Sequence, residues 1–275
     1  MPRSATLDPV RPSPGHPASA RRRFPAALVA GAAIQLIQLA LLTAAVGLGP
    51  VGWLAGVGYA LVTGTALALA LHRRGSYALG PADHVTLARA TLVGSVTALV
   101  ADTVQTPAPV ALLVAITTVA LILDAVDGRI ARRTGTVSTL GARFDMEVDA
   151  FLILVLSVFV TSSLGAWVLA IGTMRYVFVA FSLPLPWLKS PLPPSMARKT
   201  VAALQGIVLT VAAADVLPRP VETTATALAL AALVWSFGRD VIRLRRHGGD
   251  PREIFDSAPN RRRARGVGAG GVPQR

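Results

Sequence analysis

The sequence contains no cysteine, so disulfides, thiolate metal sites and cysteine nucleophiles are excluded. It is poor in charge. Only 15% of its 275 residues are Asp, Glu, Lys or Arg, against about 25% in soluble proteins. Acidic residues are scarcer still, 14 against 27 basic ones, for a net charge of +13. Lysine is nearly missing, with Lys189 and Lys199 the only two. That bias toward arginine fits a GC-rich genome. A nucleic-acid binder can be this basic, but it carries more charge overall and shorter apolar runs, so no nucleic-acid partner is expected. A disordered chain is excluded by 53% hydrophobic residues and a mean hydropathy of +0.57. What remains is an all-α, polytopic membrane bundle with its charge gathered on one side.

A membrane-crossing helix needs about 20 mostly apolar residues. Eight such runs are expected: Phe24–Leu48, Val51–Leu71, Val85–Val100, Pro109–Leu123, Ala150–Leu164, Ala166–Leu183, Val201–Leu217 and Glu222–Val241. The fourth and fifth are short, and each is expected to continue as helix into the polar segment between them. Gly49-Pro50, Pro107-Ala108-Pro109, Gly165 and Pro218-Arg219-Pro220 mark tight connections. Residues 1–23 and 247–275 read as disordered basic tails. The first tail lacks the short apolar core and cleavage site of a signal peptide.

With the N-terminus placed in the cytoplasm, 24 of the 27 basic residues fall in cytoplasmic segments. Only Arg219 lies in an outer loop, and Arg89 and Arg175 lie within spans. This asymmetry supports eight spans with both ends inside. The expected location is a bacterial cytoplasmic membrane, with the Arg-rich C-terminal tail against anionic lipid.

Five of the 14 acidic residues lie between Asp124 and Asp149. Asp124 and Asp127 stand at i and i+3 on one helix face. Asp145 and Asp149 stand at i and i+4 on the next helix, with Gly141 one turn earlier. A hairpin through Thr134–Leu140 brings the two faces together just inside the cytoplasmic boundary. One reading pairs these carboxylates with Arg129, Arg132, Arg133 and Arg143. The joint spacing of four favours a hard-oxygen site for Mg²⁺ or Mn²⁺. Gly128 and Gly141 remove side chains beside the carboxylates. Either a nucleotide approaches the backbone there or the helices pack closely. Arg132, beside Ala131, has the forked geometry that pairs with phosphate.

The run Asp124-Ala-Val-Asp127-Gly128-Arg-Ile-Ala131-Arg132, followed at fixed spacing by Gly141, Asp145 and Asp149, resembles the signature of the CDP-alcohol phosphotransferase family. That signature, D-x2-D-G-x2-A-R-x8-G-x3-D-x3-D, is matched at all eight fixed positions. The resemblance implies a six-helix catalytic core at residues 81–246, preceded at 24–80 by an added pair of spans. It implies a centre of two divalent ions, Mg²⁺ or Mn²⁺, with Asp124, Asp127 and Asp145 as ligands. Asp149 would contact the second ion and act as general base. Gly128, Ala131, Arg132 and Gly141 would line the CDP site. The implied reaction joins a CDP-alcohol, CDP-diacylglycerol above all, to an alcohol acceptor and releases CMP, in phospholipid synthesis. Relatives resembling this core are often homodimers, and the added spans would serve as an oligomer interface or shield the site.

The segment Asp83–Arg89 is similar to the opening of the family's first core helix, often P-N-x-x-T-x-x-R, with Asp83 where Asn is usual. Thr86 and Arg89 are candidates there, and snorkelling of Arg89 to the headgroups is the alternative. Arg175, Arg198 and Lys199 are candidates for a phosphorylated acceptor. Lys199 and Gln205 loosely resemble a phosphatidylglycerophosphate-synthase pattern, but Val201 replaces its second lysine. An Asp-rich prenyltransferase would carry a second Asp cluster, and none comparable follows Asp149. An ion-coupled transporter using the Asp cluster as its ion site would place polar groups deep in several spans. Beyond Gln35 and Gln38 the spans are largely apolar.

Overall fold

The computed structural model describes residues 20–74, 81–134, 139–189 and 195–247. Residues 1–19 and 248–275 of the two expected basic tails and the middle of the Thr134–Leu140 turn lie outside them, while residues 20–23, expected in the first tail, are helical. The described residues form helices and short turns, with no strand among them. The eight helices are α1 (Ala20–Val46), α2 (Pro50–Arg74), α3 (Pro81–Asp102), α4 (Val110–Thr134), α5 (Thr139–Leu164), α6 (Leu169–Ser182), α7 (Met196–Ala214) and α8 (Arg219–His247). Single 3-10 turns, Ala166–Val168 and Pro186–Lys189, flank α6. The chain is a polytopic membrane protein. Among the described residues, six helices are long and apolar enough to cross a bilayer, and shorter apolar stretches cover Val110–Val126 of α4 and Ala166–Ser182 at α6.

The expected extension of the fourth and fifth spans is present, because α4 runs on to Thr134 and α5 begins at Thr139. The fifth apolar run was expected to be short. As a helix it spans Gly141–Leu164, 24 residues, because the helix absorbs the acidic segment without losing its mean hydropathy. The chain divides into two compact units, Met1–Asp149 and Ala150–Arg275. The division falls inside α5.

In the first unit α3 is the central helix. In the Asp83–Asp102 span 61% is buried, against 22% and 17% for the spans of α1 and α2. Gln35 of α1 lies so close to Gly94 of α3 that a β-carbon there would collide with its amide. Ser95 donates a hydrogen bond to Gln38 Oε1 at 3.0 Å. Small residues and amide hydrogen bonds hold membrane helices together where hydrophobicity cannot. The α1–α2 pair is thereby packed onto α3. At the opposite end of α3 the buried Asp102 caps α2. Its carboxylate accepts the Gly49 N–H at 3.1 Å, the Gly52 N–H at 3.3 Å and the Thr106 hydroxyl at 2.9 Å. The free amides at a helix start carry partial positive charge, which a carboxylate satisfies. Pro50 suits the first helical position because it has no N–H to satisfy.

In the second unit α7 and α8 pack along their lengths. Gln205 donates to the Ala229 carbonyl at 2.8 Å, and Arg198 pairs with the buried Asp240 at 3.3 Å. Gly172 of α6 lets α5 approach, since a β-carbon there would lie 2.6 Å from Leu154 Cα. Phe178 of α6 meets Phe237 of α8 edge to face, 5.5 Å between centroids. The chain turns from α7 to α8 through Asp215 in the left-handed region, φ 51°, followed by Pro218. Arg219 donates to the Ser163 carbonyl.

Candidate metal centre

The site is built from three helices of the first unit. Helix α4 brings Asp124 to the end of its apolar stretch. Helix α5 presents Asp145 and Asp149 one turn apart on one face, because residues four apart stack on a helix. Asp124, Asp145 and Asp149 each offer a carboxylate oxygen, and these three oxygens lie within 4.8 Å of one another. All three side chains are about one-third exposed, at 38, 31 and 36%. The cluster is therefore reachable by a ligand without being fully hydrated.

The third contributor is Arg89 of α3, whose side chain is only 1% exposed. Its Nη1 pairs with Asp124 Oδ1 and its Nη2 with Asp145 Oδ1. The same Nη2 lies 3.1 Å from Asp149 Oδ1 and donates to the Asp145 main-chain carbonyl at 3.3 Å. A buried guanidinium must be paired, since its desolvation is otherwise prohibitive. Here its partners are the clustered carboxylates. Sequence reading left Arg89 as a candidate site residue or a snorkelling one, and the structure buries its guanidinium against these carboxylates. A lone charge in an apolar helix signals a buried counter-charge, but not which one. Thr86, one turn before Arg89, is also buried.

The donor set fits a hard divalent ion. Oxygens bound at about 2.0–2.1 Å to Mg²⁺ stand ~3.0 Å apart when adjacent and ~4.2 Å when opposite. Carboxylates within 4.8 Å reach that spacing with small rotations. Asp127, Gly128, Ala131 and Arg132 belong to α4, but their side chains lie outside the described residues. Gly141 is half-buried on α5, one turn before Asp145.

The candidate acceptor residues belong to the second unit. Arg175 is half-buried on α6, and Lys199 is exposed near the start of α7. Arg198 is 30% exposed and tied to Asp240, whose other oxygen lies 3.9 Å from Arg239. Arg239 in turn lies 4.8 Å over the Trp235 ring. Asp240 was not singled out from sequence, because its partner is 42 residues away with no periodic relation to it.

A profile of the CDP-alcohol phosphatidyltransferase family matches residues 80–236, more than half of the chain and the whole of the acidic motif. No curated protein and no solved structure matches.

Proposed function

Because the chain belongs to the CDP-alcohol phosphatidyltransferase family, which moves a phosphatidyl group from a CDP-alcohol to an alcohol, we propose that its donor is CDP-diacylglycerol and its products are a phosphodiester and CMP. The observation that carries this reading is the convergence of Asp124, Asp145 and Asp149 within the span matched by the family. Asp127 joins them in the proposed ligand set by its place in the motif.

Asp124, Asp127 and Asp145 would hold two divalent ions, Mg²⁺ or Mn²⁺, and Asp149 would contact the second. When bound, such ions neutralise diphosphate charge and stabilise the leaving phosphate. The chain's own residues do the rest. Arg132 pairs with a phosphate oxygen through its fork. Gly128, Ala131 and Gly141 leave room for the nucleotide against the backbone. Asp149 takes the proton of the acceptor hydroxyl as its oxygen attacks the phosphatidyl phosphorus. The new P–O bond forms as the bond to the CMP oxygen breaks, and CMP leaves with that electron pair. Arg175, Arg198 and Lys199 are the proposed contacts of a charged acceptor.

The charge distribution supports a cytoplasmic site. The acidic motif lies between spans on the side that holds 24 of the 27 basic residues. A site at that membrane edge suits a donor with lipid tails and a water-soluble head. The test is CMP release from CDP-diacylglycerol by purified protein against a panel of alcohols, with Mg²⁺ or Mn²⁺ and with a chelator. The reading expects release that needs both a divalent ion and an acceptor. Release by no acceptor overturns it.

A further inference from the structure

Resting on the metal-centre reading above, we infer that Arg89 is an exchangeable counter-cation of the carboxylate cluster: it holds oxygens that divalent ions need, and it weakens metal binding by competing for them.

Arg89 lies in the most buried helix of its unit, and its guanidinium contacts carboxylates from two other helices. Arginine does not lose its proton in proteins, so this charge is permanent. Its contacts fall on Asp124 Oδ1, Asp145 Oδ1 and Asp149 Oδ1. All three belong to residues proposed here to touch metal. Nη2 lies between Asp145 and Asp149, where an ion bridging those carboxylates would also lie. One position between like-charged carboxylates does not suit two cations, since like charges at contact distance repel strongly. A divalent ion and the Arg89 guanidinium therefore compete for the same oxygens. The guanidinium yields because the divalent ion carries twice its charge and bonds at shorter distance.

The guanidinium also has a positive role. Without any cation, carboxylates within 4.8 Å of one another repel. Arg89 holds them together and aimed at a common centre before metal arrives. Removing it thus has two effects of opposite sign. Metal affinity rises, while stability in chelator falls. A purely structural arginine would lower both.

The test measures Mn²⁺ binding by electron paramagnetic resonance and thermal unfolding in EDTA, for wild type, Arg89→Gln and Arg89→Lys. Arg89→Gln is expected to bind Mn²⁺ at least tenfold more tightly and to unfold at a lower temperature in EDTA. Arg89→Lys keeps the charge but loses the fork, so its affinity should fall between the two. If Arg89→Gln does not fold, Arg89→Lys alone must still bind more tightly than wild type. Equal or weaker Mn²⁺ binding in the variants overturns the counter-cation inference and leaves the metal-centre reading intact. No Mn²⁺ binding by wild type overturns both.

Discussion

Arg89 of α3 holds its Nη2 nitrogen 3.1 Å from Asp149 of α5, the carboxylate proposed to receive the acceptor's proton. The helix that opens the family-like core thus reaches across to the last aspartate of the motif. Until a divalent ion takes those oxygens, the base is oriented by this almost fully buried guanidinium.

Replacing Asp149 by Asn keeps its size and removes its ability to take a proton. Loss of a positioned general base costs about 10²–10⁴-fold in rate. The expected result is a fall of that size in turnover at saturating Mg²⁺ or Mn²⁺, measured by steady-state CMP release. An unchanged rate would remove Asp149 from the base role.

Asp102→Ala removes the acceptor of the Gly49 and Gly52 amides. Loss of a helix cap costs about 1–2 kcal/mol. The variant should unfold at a lower temperature in detergent and keep its activity at permissive temperature. A loss of activity without a loss of stability would give Asp102 a role in the site.

Gly94→Val drives a side chain into Gln35 of α1. Overpacking of this kind costs roughly 1–3 kcal/mol. The double variant Gly94→Val with Gln35→Ala should recover part of that loss, because it vacates the space the new side chain needs. Thermal unfolding of the four proteins in the cycle measures the coupling.

The absence of cysteine makes topology directly measurable. A single cysteine at the exposed Val216, between α7 and α8, should react with a membrane-impermeant maleimide in intact cells. A single cysteine at Ser4 should react only after permeabilisation. The reverse pattern would turn the whole chain over in the membrane and contradict the cytoplasmic site.

What was legible in the sequence was what repeats at helical spacing. Apolar runs marked the spans, and the i, i+3 and i, i+4 offsets put Asp124 with Asp127 and Asp145 with Asp149 on helix faces. Those offsets do not say that Asp124 of α4 meets Asp145 and Asp149 of α5, which only the structure shows. The roles of Arg89, Asp102 and Asp240 were not legible. Each is a single charged residue that makes a contact to another helix 35 or more positions away. Hydropathy shows that such a charge needs compensation, but only packing shows which group supplies it. Gly94 was hidden for the same reason. Nothing in its own helix says that Gln35 lies above it.

The central claim is that the Asp cluster transfers a phosphatidyl group from a CDP-alcohol. Its most direct test is mass spectrometry of the lipid product made from CDP-diacylglycerol and an acceptor panel, with wild type and Asp149→Asn compared at saturating divalent ion. The account predicts a new phosphodiester, one CMP per product, in the wild type alone. Equal product from Asp149→Asn, or no phosphodiester from wild type with any acceptor, would contradict it.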